Sequence, residues 1–212
     1  MRITRNGPRT QQLVGLVFLT LVVAGLLSAA VRAVRAPGDA QAVSLPATVV
    51  LTGPAPWLAN NGAGLRARLV ALGLPALPRE GTVLHIHSHL DVFVHGRRVV
   101  VPAGVGIDPS FRFISPLHTH DTSGVIHIES PTVRTFTLGQ FLGVWGVRFG
   151  AGCLGGYCTG RGSSLRVYAD GRPVSDPANL PLAAHEEIVV AFGTRQQLPR
   201  PLPTRYAFAP DL

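Results

Sequence analysis

The sequence predicts an α+β fold, a mainly antiparallel β-sheet with one packed helix, preceded by one N-terminal transmembrane helix. Three observations predict it. Strand-type alternation bounded by turn residues runs through "TVLHIHSHLDVFVHG" and "RRVVVP" and returns in "SLRVYADGRPV". One capped helical pattern, "TFTLGQFLGVWGV", lies between them. The run "LVGLVFLTLVVAGLLSAAV", Leu13 to Val31, carries no charge and has the length of a bilayer span.

Read in order, residues 1–12 form a short arginine-bearing N-terminus, expected in the cytoplasm. Residues 13–31 are expected to be an uncleaved anchor; the rival reading is a signal peptide with Ser28-Ala29-Ala30 at its cleavage site. Either way the rest of the chain is expected outside the cytoplasmic membrane, and with the anchor kept the protein is expected to be a single-pass cell-membrane protein. Residues 32–62 are rich in Ala, Pro, Gly and Asn and read as a spacer. The folded domain is expected over 63–198. It starts with a short helix in "GLRARLVALG", where Leu65, Leu69 and Leu72 share a face and Gly73 ends it.

The first hairpin turns at His95-Gly96 and the second at Asp170-Gly171, both two-residue turn signals. The hairpins match at a constant offset: Leu90, Val92, Phe93, Gly96, Arg97 and Val99 align with Leu165, Val167, Tyr168, Gly171, Arg172 and Val174. An internal duplication and simple hairpin likeness both account for this. In the central helix, Thr137 with Gln140 forms a capping box, Phe136 with Phe141 a hydrophobic staple, and Gly146 the stop. The last strand is expected in "EEIVVAF", and 199–212 is a proline-rich extended tail. The order hairpin, helix, hairpin, strand fits a β-grasp-like arrangement.

All 19 basic residues are arginine and the formal net charge is +8. Arg2, Arg5, Arg9, Arg32 and Arg35 lie near the N-terminus, and the domain has no basic run. Nucleic-acid binding needs clustered charge, so it is not expected. Cys153 and Cys158 are the only two cysteines. In an exported domain the pair reads as a disulfide rather than a thiolate ligand pair.

The chemistry concentrates in histidine. "LHTHDTSGVIHIES" places Asp121-Thr122-Ser123-Gly124 as a turn between two strands. His118 then pairs with His127, and His120 with Val125, so His118, His120 and His127 converge with Glu129 on the same face. His85, His87, His89 and Asp91 alternate along the first hairpin and share one face, opposite Leu84, Ile86, Leu90 and Val92. A His-x-His pair on one strand with a histidine on its neighbour is a divalent transition-metal pattern, zinc or copper(II) best. The alternative is a histidine-lined structural face. Asp91 and Glu129 are candidate imidazole acceptors or proton acceptors, whereas Asp121 caps its turn. His95 and His185 read as a turn and a loop residue. The lone Met1 excludes a thioether copper site, and cupin, EF-hand and His-Glu-x-x-His patterns are absent. Imidazole must be neutral to ligate, so binding is expected to fade as pH falls through about 6.5.

The runs "HIHSHLDVFVHGRRVVVPAGVGI" and "LHTHDTSGVIHIESPTVRTFTLGQFLGVWGV" resemble a family of uncharacterised bacterial envelope proteins with one N-terminal membrane segment. The likeness covers about residues 65 to 193. It implies an envelope location and no reaction. Three functions remain: a metal-binding envelope domain, a metal-dependent enzyme that activates water at a three-histidine site, or a metal-free module that docks an envelope partner.

Overall fold

The computed structural model describes residues 50–62, 64–110, 112–210 and 212. The segment expected to be an anchor or signal, 13–31, lies outside the described residues. Among the described residues no helix is long and apolar enough to cross a membrane.

The strands are β1 (Leu84–Val94), β2 (Arg97–Val99), β3 (Leu117–His118), β4 (Val125–Ser130), β5 (Phe149–Gly150), β6 (Cys153–Leu154), β7 (Tyr157–Cys158), β8 (Ser164–Ala169), β9 (Arg172–Pro173) and β10 (Glu187–Gly193). The main sheet runs β3-β4-β1-β10-β8-β9, with β2 also paired to β1. Every pairing is antiparallel except β1 with β10. The fold is therefore α+β and mainly antiparallel, as expected. Its one parallel pair places the last strand in the middle of the sheet, which local sequence patterns do not encode. β5, β6 and β7 form a separate small sheet.

β1 is the organising strand because its alternation divides two chemistries. Ile86, Ser88, Leu90 and Val92 point to one side, with Leu90 and Val92 fully buried. Ile126, Ile128, Ile188 and Val190 join that side from β4 and β10. The other side carries His85, His87, His89 and Asp91. Both turns expected from sequence form, with positive φ at His95 and Gly96 and at Asp170 and Gly171, as a type I′ turn requires.

Among the described residues there are two α-helices, and both pack. α1 (Gly64–Ala71) is the short helix expected before the hairpins, and it packs. Gly73 is left-handed, and the Leu74 N–H donates to Leu69 O at 2.8 Å while Gly73 N–H donates to Val70 O at 3.1 Å, the two bonds of a Schellman stop. α2 (Leu138–Trp145) has the expected capping box between Thr137 and Gln140 and a left-handed Gly146 at its end. Phe141, Leu142, Val144 and Trp145 bury fully into the core. Arg68 of α1 is buried as well, its Nε donating to Val144 O at 3.1 Å at the C-terminal end of α2. Burial lowers its pKa to about 10, so it remains a cation near that end of the helix.

Part of the expected spacer is structural. Leu51 bridges to Val147, and Trp57 is buried in the core with its ring 6.1 Å from that of Trp145, edge to face. The folded domain thus reaches back before residue 63. Composition alone hid this, because a Pro- and Gly-rich strap around one tryptophan looks like a linker. The described residues of the tail 199–212 form no regular element, but the tail is not idle: Tyr206 stacks on His89 at 3.8 Å. Cys153 and Cys158 are directly opposed across β6 and β7 and form the disulfide.

Candidate metal centre

The site is a product of register. On β1 and β4, His85 faces Glu129, His87 faces His127, and His89 faces Val125. On β3 and β4, His118 faces His127, as the sequence predicts. Directly opposed residues share a sheet face, so His118, His127 and His87 form one row across three strands. The expected pairing of His120 with Val125 does not form. β3 ends at His118, before the ladder with β4 reaches Val125, which pairs only with His89 of β1. His120 still reaches the row from the loop, its ring centroid 4.5 Å from that of His127. The turn is held as expected, with Asp121 Oδ1 accepting from Ser123 N–H at 2.8 Å.

Two groups of ligating atoms result, each with its members within 4.8 Å of one another: His118, His120, His127 and Glu129, and His85, His87 and Glu129. Four donors 2.0–2.1 Å from a tetrahedral zinc stand about 3.3–3.4 Å apart. Three of the spacings lie near that value. His118 Nε2 lies 3.2 Å from His120 Nε2 and 3.9 Å from Glu129 Oε2, and His127 Nδ1 lies 3.2 Å from Glu129 Oε1. Glu129 Oε2 is buried with no hydrogen-bond partner, an expensive state for a carboxylate oxygen unless a cation faces it.

The side chains are prepared for ligation. The Nδ1–H of His118 donates to Ser115 O at 3.0 Å. A carbonyl only accepts, so the neutral ring carries its proton on Nδ1 and turns the Nε2 lone pair toward His120 and Glu129. Burial keeps that ring neutral, with its pKa lowered to about 3 against the pull of Glu129. Burial, then the neighbouring His127 and His85, lower His87 to about 4. Burial works to raise the Glu129 carboxyl, but the hydrogen bond from His127 and the surrounding imidazoles outweigh it and hold the group below its usual value.

His89 and Asp91 do not join this centre. They form a third group with Glu187. His89 Nδ1 is 2.6 Å from Glu187 Oε2 and its Nε2 is 2.9 Å from Ser123 O. Both His89 nitrogens are thus already held by oxygens of the protein, and neither is turned toward the histidine row. Asp91, expected to orient an imidazole, instead accepts from Arg98 Nε at 2.8 Å. His95 is the expected turn residue, and His185 precedes β10 with its Nε2–H donating to Leu212 O at 3.0 Å.

Sequence reasoning missed Glu80, Glu187 and Tyr206. Glu80 Oε1 lies 3.3 Å from His120 Nε2 and 3.9 Å from His118 Nε2. It precedes β1 outside any alternating pattern, so nothing local signals it. Beside it opens a cleft of about 300 Å³ walled by Pro78, Glu80, Ile107, Phe113, Ile114 and His120, which gives the centre access to solvent. Glu187 required the parallel register of β10 on β1.

The fold and centre together define an α+β domain with a histidine-carboxylate cluster on one sheet face. No protein-family model matches the chain, and no curated protein or solved structure is similar enough to count as a match.

Proposed function

We propose that the chain is a single-pass, membrane-anchored protein of the envelope family it resembles. Its extracytoplasmic domain binds a divalent transition metal, zinc or copper(II), through His118, His120, His127 and Glu129. The observation that carries this reading is the convergence of those four residues, with one ligating atom of each within 4.8 Å of the others and Glu129 Oε2 buried and unpartnered. The uncharged run from Leu13 to Val31 and the Cys153–Cys158 disulfide support export. The parallel pairing of β1 with β10 supports a β-grasp-like reading of the sheet.

The second reading is an enzyme in which the bound metal activates water. It is favoured by the cleft at His120, where Glu80 is half-exposed and stands ready to accept a proton. Metal analysis of the purified chain after loading with Zn(II) tests the shared premise. Bound zinc that dialysis does not remove supports it; a metal-free protein leaves the envelope docking module. A reporter fused after Leu212 tests the location: it is active only outside the cytoplasm if the domain is exported.

A further inference from the structure

We infer that the histidine face holds two metal ions, bridged by the carboxylate of Glu129. The inference rests on the metal-binding reading above and adds a second ion site on His85 and His87.

Glu129 belongs to both groups of donors. Oε1 is 3.3 Å from His85 Nε2, on the β1 side, and 3.2 Å from His127 Nδ1 on its own strand. Oε2 is 3.9 Å from His118 Nε2, on the β3 side, and has no hydrogen-bond partner although the side chain is only 3% exposed. A carboxylate with four lone-pair positions can ligate on both sides at once. Two-metal centres hold their ions about 3.5–4 Å apart, a span one bridging carboxylate covers.

The second group is suited to an ion by its own geometry. His87 is buried and His85 is about half exposed, so the ion would sit at the rim of the sheet face rather than sealed within it. His87 Nε2 lies 3.1 Å from His127 Nδ1, which brings the two groups into contact through their imidazoles as well. A shallow pocket lined by His85, His87, Ala184, His185 and Leu212 opens next to it. Three protein donors leave a coordination position there for water or an anionic ligand. The His89, Asp91 and Glu187 group is a poor third site, because both His89 nitrogens are already held by oxygens and Asp91 is paired with Arg98.

The test uses the full chain, purified without a histidine tag, loaded with Zn(II) and stripped of loose metal by gel filtration. Two zinc ions per chain are expected in the parent protein. One is expected in a His85→Ala, His87→Ala variant and one in a His118→Ala, His120→Ala variant. In Glu129→Gln, affinity for the second ion should fall by about tenfold or more, at least the loss that follows removal of a group that only orients a ligand. A single ion in the parent, or two ions retained without His85 and His87, overturns the inference while leaving one metal site standing. No bound ion at all overturns the inference and the proposed function together. Electron paramagnetic resonance of the parent chain loaded with Cu(II) keeps the question decidable if a variant fails to fold. Magnetically coupled ions support the bridge, and two isolated copper spectra overturn it.

Discussion

His87 on β1 and His127 on β4 stand directly opposite each other, with Nε2 of one 3.1 Å from Nδ1 of the other. That contact fuses two sequence regions into one centre. His185 lies beside His87, but its ring is not among the clustered ligand groups. His185 N–H donates to His87 O at 2.7 Å, while its ring stacks on Phe208. A His185→Asn variant is expected to keep the zinc affinity of the parent within about twofold. Asparagine tolerates the left-handed backbone found there, φ 59°, better than alanine does. Competition titration with a zinc chelator measures it. A loss as large as that of His127→Ala would make His185 a ligand.

The lowered His118 and His87 values predict an acid-sensitive fold. Unfolded imidazole protonates near pH 6.5, whereas these two rings resist protonation down to about 3 and about 4. Below pH 6.5 the unfolded chain binds protons that the native state refuses, so their contribution to stability is full above 6.5 and is lost as pH falls. Glu129, held low, acts in the same direction. Urea denaturation of the metal-free protein should show a lower midpoint at pH 5 than at pH 7.5. The same shifts leave His118 and His87 neutral well below the pH of about 6.5 at which ligation is expected to fade. Imidazole carbon shifts in an NMR titration should show both rings still neutral at pH 5.5.

Trp57 distinguishes a packed strap from a spacer. Its ring is 3% exposed, meets Trp145 and Tyr157 edge to face, and its Nε1–H donates to Gly53 O at 3.0 Å. Trp57→Ala is expected to cost about 3–5 kcal/mol, the usual range for emptying a core aromatic site. Chemical denaturation of the variant measures it. A cost under about 0.5 kcal/mol, ordinary for a surface change, would return residues 50–62 to the linker.

The Cys153–Cys158 bridge closes a short hairpin loop. Loop-closure entropy gives such a small ring about 2 kcal/mol. Denatured, unreduced protein should contain no free thiol, and reduction should lower the unfolding free energy by about that amount. Two free thiols in exported protein would contradict the pairing.

What the sequence carried well was local. Strict alternation placed His85, His87 and His89 on one face, and Asp121 to Gly124 set the turn that opposes His118 to His127. The cap at Thr137 and the turns at His95-Gly96 and Asp170-Gly171 were legible because each is written in two to four adjacent residues. What it could not carry was long-range. His89 shares a face with His87, yet the parallel partner β10 brings Glu187 to it and draws it into a different group. Asp91 was claimed by Arg98 across the first hairpin. Glu80 lies in an irregular segment and reaches His120 only through tertiary folding.

The central claim is that the β3–β4 histidines hold a metal. It is tested most directly by the zinc content of the purified full chain beside a His118→Ala, His127→Ala double variant, both loaded with Zn(II) and dialysed under the same conditions. The double variant removes two of the four donors of the first group, and His127 also touches His87 of the second. Zinc retained by the parent and lost from the double variant, with circular dichroism unchanged, is the predicted result. Equal zinc in both, or none in the parent, would contradict the metal centre and leave the histidine row as part of the sheet's packing.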